Sequence, residues 1–214
     1  MMINLDWLWP KYGIRPDGVL HLGASEGQER DVYARHKVDS VMWVEAIPEV
    51  FNKLCENISN YPGQDAMLLC VGKDEGREVV FNVSNNEAQS SSYLELGHHT
   101  VIHPTVNYVR NFKTTIRRLD NIFKKESFKG LWFLNADLQG AELDAFEGMG
   151  ELLHEFEWVY TELNKKETYK GCPLVEDIDA YLSKFGFVRA ETGVWVADTW
   201  TDGLYVKKAS TLLS

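Results

Sequence analysis

The residues with the most chemical promise in this 214-residue chain stand just after runs of apolar residues. The first group is HLGASEGQE, residues 21–29. Gly23 and Gly27 relieve a tight turn so that the backbone can approach a ligand, and the helix start that follows offers N–H groups to an anion. The second is Glu45, roughly twenty residues further on, where an acid at the end of a second strand accepts hydrogen bonds from two ribose hydroxyls. Taken singly, a plain tight turn and a solvated strand end explain these residues as well. Their order, strand–GxxxG–helix–strand–Glu, points to a nucleoside cofactor. The turn is not GxGxxG, because Ser25 stands where the second glycine would be. That favours a cofactor without phosphate over a nicotinamide or flavin dinucleotide.

Two more groups follow later strands, and two lie in an irregular stretch. Asp137 opens the segment Asp137-Leu138-Gln139-Gly140-Ala141-Glu142, and Glu162 with Asn164 ends the next strand. A carboxylate and a Glu/Asn pair at neighbouring strand ends converge over one pocket. Asp137 is the first candidate for a base or a ligand to a cofactor amine, with Glu162 and His103 as the other catalytic candidates. No metal is expected; Asp137, Glu162 and Asn164 form the alternative, a hard-cation site of oxygen donors. Against it, Glu142 and Glu162 cap helices or pair with Lys165 and Lys166. His98, His99 and His103 lie in an irregular stretch, where solvated loop histidines are the plain reading and a general base or substrate contact the sharper one. Ser90, Ser91 and Ser92 are either loop solvation or hydroxyls near one end of a cofactor.

These groups need a scaffold that brings strand ends together. Residues 18–22, 40–45, 66–72, 131–137 and 158–163 read as buried strands, and 77–84 as a more exposed one. Residues 28–36, 48–58 and 173–185 read as helices, the last stopped by Gly186. Continuous apolar strands alternating with helices give a parallel sheet covered on both faces. Residues 187–192 and 203–208 lie too close for a helical crossover and pair antiparallel. The expected fold is therefore α/β, a mostly parallel seven-stranded sheet with an antiparallel terminal hairpin, in one domain over 1–214. A short helix over about 3–12, ended early by Pro10, caps it. Residues 85–111 lack a period, and a structureless loop of that length is usually functional.

Composition narrows the partners. A net charge of −10 and a pI near 5.1, with scattered basic residues, argue against a nucleic-acid backbone. Arg117-Arg118 and Lys124-Lys125 solvate a helix start and end. No apolar run approaches the roughly 20 residues of a membrane span, and the N-terminus lacks the pattern of a signal peptide. Cys55, Cys70 and Cys172 have no CxxC spacing and read as reduced thiols of a cytoplasmic protein.

Together HLGASEGQE, WVEAIPEVFNKLCENI, TIRRLD, LNADLQGAELDAFEGM, YTELN and the closing GFV…DGLYVKK carry a family likeness. Over roughly residues 18–208 the chain resembles the FkbM-type S-adenosylmethionine (SAM)-dependent methyltransferases. The resemblance implies a Rossmann-like fold, SAM as methyl donor, and a hydroxyl acceptor on a carbohydrate or small glycosylated molecule. It assigns Gly23, Ala24, Ser25 and Gly27 to the cofactor turn, Glu45 to the ribose, and Asp137 to the mouth of the active site, with Ala46 a further cofactor-binding candidate. Ser92 is expected near the methionine end. Such enzymes commonly carry an acid where this chain has His21, and Asn where it has Ser25. His21 would then touch the methionine ammonium without supplying charge, and Glu26 or Asp137 would have to compensate. The alternative is a methyltransferase-like binding module that has lost catalysis.

Overall fold

The structure, a computed structural model, describes residues 3–208, so the domain expected over 1–214 extends at both ends past them. Five strands run parallel at the centre: β1 (Gly18–Leu22), β2 (Ser40–Glu45), β3 (Gln64–Leu68), β7 (Trp132–Ala136) and β8 (Phe156–Asn164). Beside β8 lies β10 (Trp200–Lys207), antiparallel both to β8 and to β9 (Phe187–Thr192). The order β3-β2-β1-β7-β8-β10-β9 makes the expected seven-stranded sheet with its antiparallel hairpin. Strand order reverses between β1 and β7, and ligands bind such sheets outside the carboxyl ends at that point.

Side chains alternate along a strand, so each strand feeds both faces of the sheet. Leu20, Leu22, Val44, Leu134, Ala136, Val159 and Leu163 pack on one side with α6 (Glu142–Met149) and α7 (Val175–Ser183). Val19, Val41, Trp43, Phe133, Trp158, Tyr160 and Leu204 pack on the other with α1 (Leu5–Lys11), α2 (Arg30–Arg35) and α3 (Pro48–Ile58). His21, Glu45, Asn135 and Glu162 share the parity of this second face, as does Asp137 just past β7. The candidate residues of four strands therefore gather on one face, at one edge.

Three expectations need correction. The strand over 66–72 breaks at Leu69: β3 stays in the large sheet, while β4 (Cys70–Val71) pairs with β6 (Tyr108–Arg117) in a second one. That sheet, β4-β6-β5 with β5 at Glu78–Ser84, shelters a third apolar cluster including Ile47, Phe81 and Ile116. Residues 85–111 are not structureless. They hold a bridge between Asn82 and Ser92, the single turn α4 (His99–Ile102) and the start of β6. Finally, α1 continues to Lys11 past Pro10, with Asn4 accepting the Asp6 N–H at its start. The remaining α-helix among the described residues is α5 (Leu119–Ile122). Among the described residues no helix is long and apolar enough to cross a membrane.

Candidate active site

Above the carboxyl ends of β1, β2, β7 and β8 lies a cavity of about 550 Å³, within the roughly 300–1,000 Å³ of small-molecule sites. Its floor is the sheet edge, and its roof comes from residues between β4 and β6.

The turn after β1 is held down by its own backbone. The N–H groups of Gly23 and Ala24 both donate to the carbonyl of Val44, at 2.9 and 3.0 Å. The Ser25 N–H donates to Glu45 Oε2 at 2.9 Å. These donors are consumed, so residues 23–25 themselves offer no N–H to a ligand anion. Gly23 is required for a different reason: with φ +76°, an added Cβ would lie 1.7 Å from the carbonyl oxygen of Asp137. The glycine lets the ends of β1 and β7 touch. Gly27 faces away from the cavity, where a Cβ would meet Leu54 of α3 at 2.7 Å.

Glu45 is buried in the cavity wall. Besides Ser25, its carboxylate accepts the N–H groups of Ala46 at 2.9 Å and Ile47 at 2.8 Å. A carboxylate has about four acceptor positions, so these three bonds fix its orientation and leave about one for a ligand hydroxyl. Burial pushes its carboxyl up to about 7, against the three N–H groups that favour the charge.

His21 is buried against Trp43, ring centroids 4.8 Å apart. The Tyr33 hydroxyl accepts from Asn135 Nδ2 at 2.9 Å and meets His21 Nδ1 at 3.0 Å. Burial holds the ring down to about 3, so it is neutral. The Glu29 carboxylate lies 4.0 Å from Nδ1, which with a neutral ring is a contact and not an ion pair.

Glu29 is the residue that the sequence reading missed. Glu26 was the expected acid of this turn, but it points outward to Lys53 at 2.7 Å and lines no part of the cavity. Ser25, at φ +48°, and Gly27, at φ +74°, reverse the chain twice. That brings residue 29 inward. The polar run Glu26-Gly27-Gln28-Glu29 offers no periodic signal that would separate its two acids.

Asp137, Gln139 and Glu162 form one unit. Gln139 Nε2 donates to Asp137 Oδ1 at 2.5 Å and reaches Glu162 Oε2 at 3.5 Å. Gln139 has φ +53°, which costs about 1–3 kcal/mol for a residue with a side chain. Glu142 holds the turn by accepting the N–H groups of Leu138 and Gly140 at 2.8 and 3.2 Å. Burial, ahead of any neighbour, raises Asp137 and Glu162 above the usual carboxylate range, and Glu142 to about 7. Asp202 of β10 lines the same cavity and is raised to about 6 by burial.

Asn164 stands apart from this unit. Its Nδ2 donates to Glu162 Oε1 at 3.0 Å, and its carbonyl oxygen accepts the Thr168 hydroxyl. In the alternative cation set of Asp137, Glu162 and Asn164, the third oxygen is thus already engaged by Thr168. Among the described residues no three His, Cys, Asp or Glu gather as metal ligands. Lys165 pairs with Asp198 and not with Glu162.

The roof supplies the remaining wall. His99 is 6% exposed, against the reading of the loop histidines as solvated. Its Nε2 lies 3.1 Å from Ser90 Oγ, its ring is 5.0 Å from that of His103, and Nδ1 has no partner. Asn86, Gln89, Ser90, Ser91, His103, Thr168, Tyr169 and Trp200 line the cavity around it. Ser92 does not: its backbone bridges Asn82 and its hydroxyl accepts the Leu94 N–H. Ser84, Asn86, Ser90 and Ser91 hydrogen-bond one another, which gives an aperiodic stretch a fixed shape.

The cavity thus has two chemical halves. Glu29, Glu45, Asp137, Glu162 and Asp202 line it, and among the described residues no Lys or Arg does. Buried carboxylates without cations suit a cationic ligand, and the neutral wall opposite suits hydroxyls.

Comparison with known proteins identifies the family and the fold. The family model described as Methyltransferase FkbM domain matches residues 21–189. Among solved structures, a proposed tRNA (m1A22) methyltransferase from Streptococcus pneumoniae is similar at a TM-score of 0.53 and 11% identity, over 97% of this chain and 71% of that one. Magnesium protoporphyrin IX methyltransferase from Synechocystis PCC 6803, solved with bound SAM, gives 0.52 and 12%, over 95% and 76%. A proposed RNA methyltransferase from Pyrococcus horikoshii gives 0.51 and 15%, over 95% and 82%. At these identities the likeness is one of fold. No curated relative matches the chain.

Proposed function

We propose that this chain, which belongs to the FkbM methyltransferase family, moves a methyl group from SAM to a hydroxyl of a carbohydrate or small glycosylated molecule. The observation that carries the reading is the two-sided cavity, acidic on the sheet edge and neutral but rich in hydrogen-bonding groups on the roof. SAM fits the acidic side by charge, since its sulfonium and ammonium groups are cations and the cavity offers five carboxylates. When bound, it supplies a methyl carbon already activated by the adjacent positive sulfur.

The chain's own residues do the rest. Glu45, oriented by three backbone N–H groups, holds one ribose hydroxyl. Gly23, Ala24, Ser25 and Ala46 form the wall beside it, and His21 is a neutral contact at the methionine end. Asp137 takes the proton of the acceptor hydroxyl; burial raises its carboxyl, which makes it a stronger base than an ordinary carboxylate. Glu162, bridged to it by Gln139, keeps the pair from ionising together. Ser90, His99, His103 and Tyr169 orient the acceptor. An uncharged wall of this kind supports a neutral polyhydroxy acceptor over a phosphate or a carboxylate. The alternative of an inactive binding module was motivated by His21, and Glu29 beside it supplies the acid that position lacks.

Thermal melting with S-adenosylhomocysteine (SAH) tests the donor half. Ligand at about 100 times its dissociation constant should add roughly 2.7 kcal/mol of apparent stability. No shift with SAM or SAH would sink the reading. Transfer of labelled methyl from SAM across a panel of sugars and glycosides tests the acceptor half.

A further inference from the structure

We infer that the acceptor extends past the sugar that is methylated, and that a second sugar ring lies flat on the indole of Trp200. The inference rests on the reading of the acceptor as a carbohydrate. It begins with the use the fold makes of its seven tryptophans. Trp9, Trp43 and Trp158 fill the core on one face of the sheet, and Trp132 and Trp195 pack on the other. Lys11 Nζ lies over the Trp7 ring, 4.4 Å from its centroid. Trp200 is different. It is partly buried and lines the cavity. Among the described residues it joins no apolar cluster, has no ring partner and makes no hydrogen bond through its indole N–H.

The backbone that carries this side chain is fixed. Trp200 opens β10, where it pairs with Asn164 at the end of β8, and its carbonyl accepts the Val196 N–H at 2.8 Å. The chain between them turns through Ala197 and Asp198, at φ +46° and +53°, a left-handed backbone that residues with side chains rarely adopt. An indole set at a cavity wall by such a turn, and unused by the core, is a platform for a flat ligand.

A pyranose has one face of C–H groups, and an indole buries that kind of surface well. Asp202 stands two residues along on the same face, against Tyr160 and directly across from Glu162. It lines the cavity too, so hydroxyls at the rim of a stacked ring meet a carboxylate acceptor. A flat apolar group would leave that carboxylate unmet.

Distance makes this a second ring. Asp137 and Trp200 share a face of the sheet, and β8 separates β7 from β10. Two strand spacings are about 10 Å, and Trp200 stands two residues, about 7 Å, past the level of Asp137 and Glu162. A sugar whose hydroxyl meets Asp137 does not also cover Trp200; the next ring of a glycoside does. Glu45 on β2 is four spacings from β10, about 19 Å, which keeps Trp200 clear of the donor.

The test offers methyl glucoside, methyl mannoside and methyl rhamnoside as acceptors, each alone and each carrying a second hexose, with labelled SAM in excess. For the sugar that is methylated, kcat/KM of the disaccharide should exceed that of the monosaccharide by about tenfold, the worth of one aromatic contact. Trp200→Ala should remove that advantage by raising KM for the disaccharide. Trp200→Phe should keep most of it, and SAH affinity should be unchanged in both variants. Wild-type protein that methylates the two forms equally well overturns the inference. So does Trp200→Ala if it weakens both acceptors alike, or if it weakens SAH. Each of those results leaves methyl transfer to a sugar standing. Wild-type protein that binds SAH and methylates none of these saccharides overturns the carbohydrate reading and the second ring together.

Discussion

The Tyr169 hydroxyl donates to the side-chain carbonyl of Gln139 at 2.5 Å, and this fixes which end of the Gln139 amide faces the acids. With its oxygen taken, the amide turns its nitrogen to Asp137 and Glu162. One residue from the second strand-end loop thereby sets the geometry of a pair contributed by two different strands. Gln139→Ala should lower kcat by about a hundredfold, the scale of a misplaced catalytic group. SAH binding should stay within a fewfold, and Tyr169→Phe should reproduce part of the loss. Unchanged turnover in both variants would remove Gln139 from the positioning of the pair.

Asp137→Asn separates catalysis from folding. Removing a general base typically costs 10²–10⁴-fold in rate. The fold should not suffer, because the variant removes a desolvated carboxylate that burial already disfavours. A melting temperature equal to or above wild type is expected. A variant that melts far lower, or turns over normally, contradicts the role.

The roof is tested through acceptor kinetics. His99→Gln keeps a hydrogen-bonding side chain near Ser90 but removes the ring nitrogen that has no partner. It should lower kcat/KM for the acceptor by about tenfold, the worth of one hydrogen bond, and leave SAH affinity alone. Loss of SAH affinity of the same size would mean that His99 holds the fold of the cavity and not the acceptor.

Gly23→Ala and Gly171→Ala form a matched pair. Both glycines have positive φ, +76° and +73°, but only Gly23 would drive a Cβ into backbone, at 1.7 Å from Asp137 O; Gly171 has nothing within 4 Å. Gly171→Ala should cost about 1–2 kcal/mol, the left-handed penalty alone. Gly23→Ala should cost more than about 4 kcal/mol and abolish SAH binding. Similar denaturation midpoints for the two would refute the close approach of β1 and β7.

Stability should depend on pH in an unusual direction. Glu29, Glu45 and Glu142 are raised to about 7 and Asp202 to about 6. Between roughly pH 4.5 and 7 the folded protein therefore binds protons that the unfolded chain has released, and stability falls as pH rises through that window. His21, held down to about 3, works oppositely, since an unfolded histidine gains a proton below about 6.5. It is outnumbered. Ligand-free protein should melt higher near pH 5.5 than near pH 8, and SAH affinity should rise across the same interval as Glu29 and Glu45 ionise. A melting temperature that climbs from pH 5.5 to 8 without ligand would contradict the burial of these acids.

The sequence was most legible where one physical signal dominates. The apolar runs containing Trp43, Phe133 and Val159 could only be buried strands, and their ends had to carry Glu45, Asp137 and Glu162. Legibility failed where conformation rests on turns. Nothing in the residue types tells that Glu26 swings out to Lys53 while Glu29 turns in, because that depends on two left-handed backbone positions. His99 was read as exposed because hydrogen bonds among Ser84, Asn86, Ser90 and Ser91, and not periodic apolar contacts, hold its surroundings. The small second sheet escaped for a related reason: Leu69 hands the chain from one sheet to another within what looks like a single apolar run.

That hand-over has an evolutionary side. Because β4 and β6 begin and end the detour, most of the cavity's roof arrives as one continuous cassette, residues 70–117, spliced between strands of the large sheet. Its two ends lie side by side, Cys70 paired with Ile116. Exchanging the cassette wholesale would replace most of the cavity's roof and leave the strand ends that carry Glu45, Asp137 and Glu162 in place.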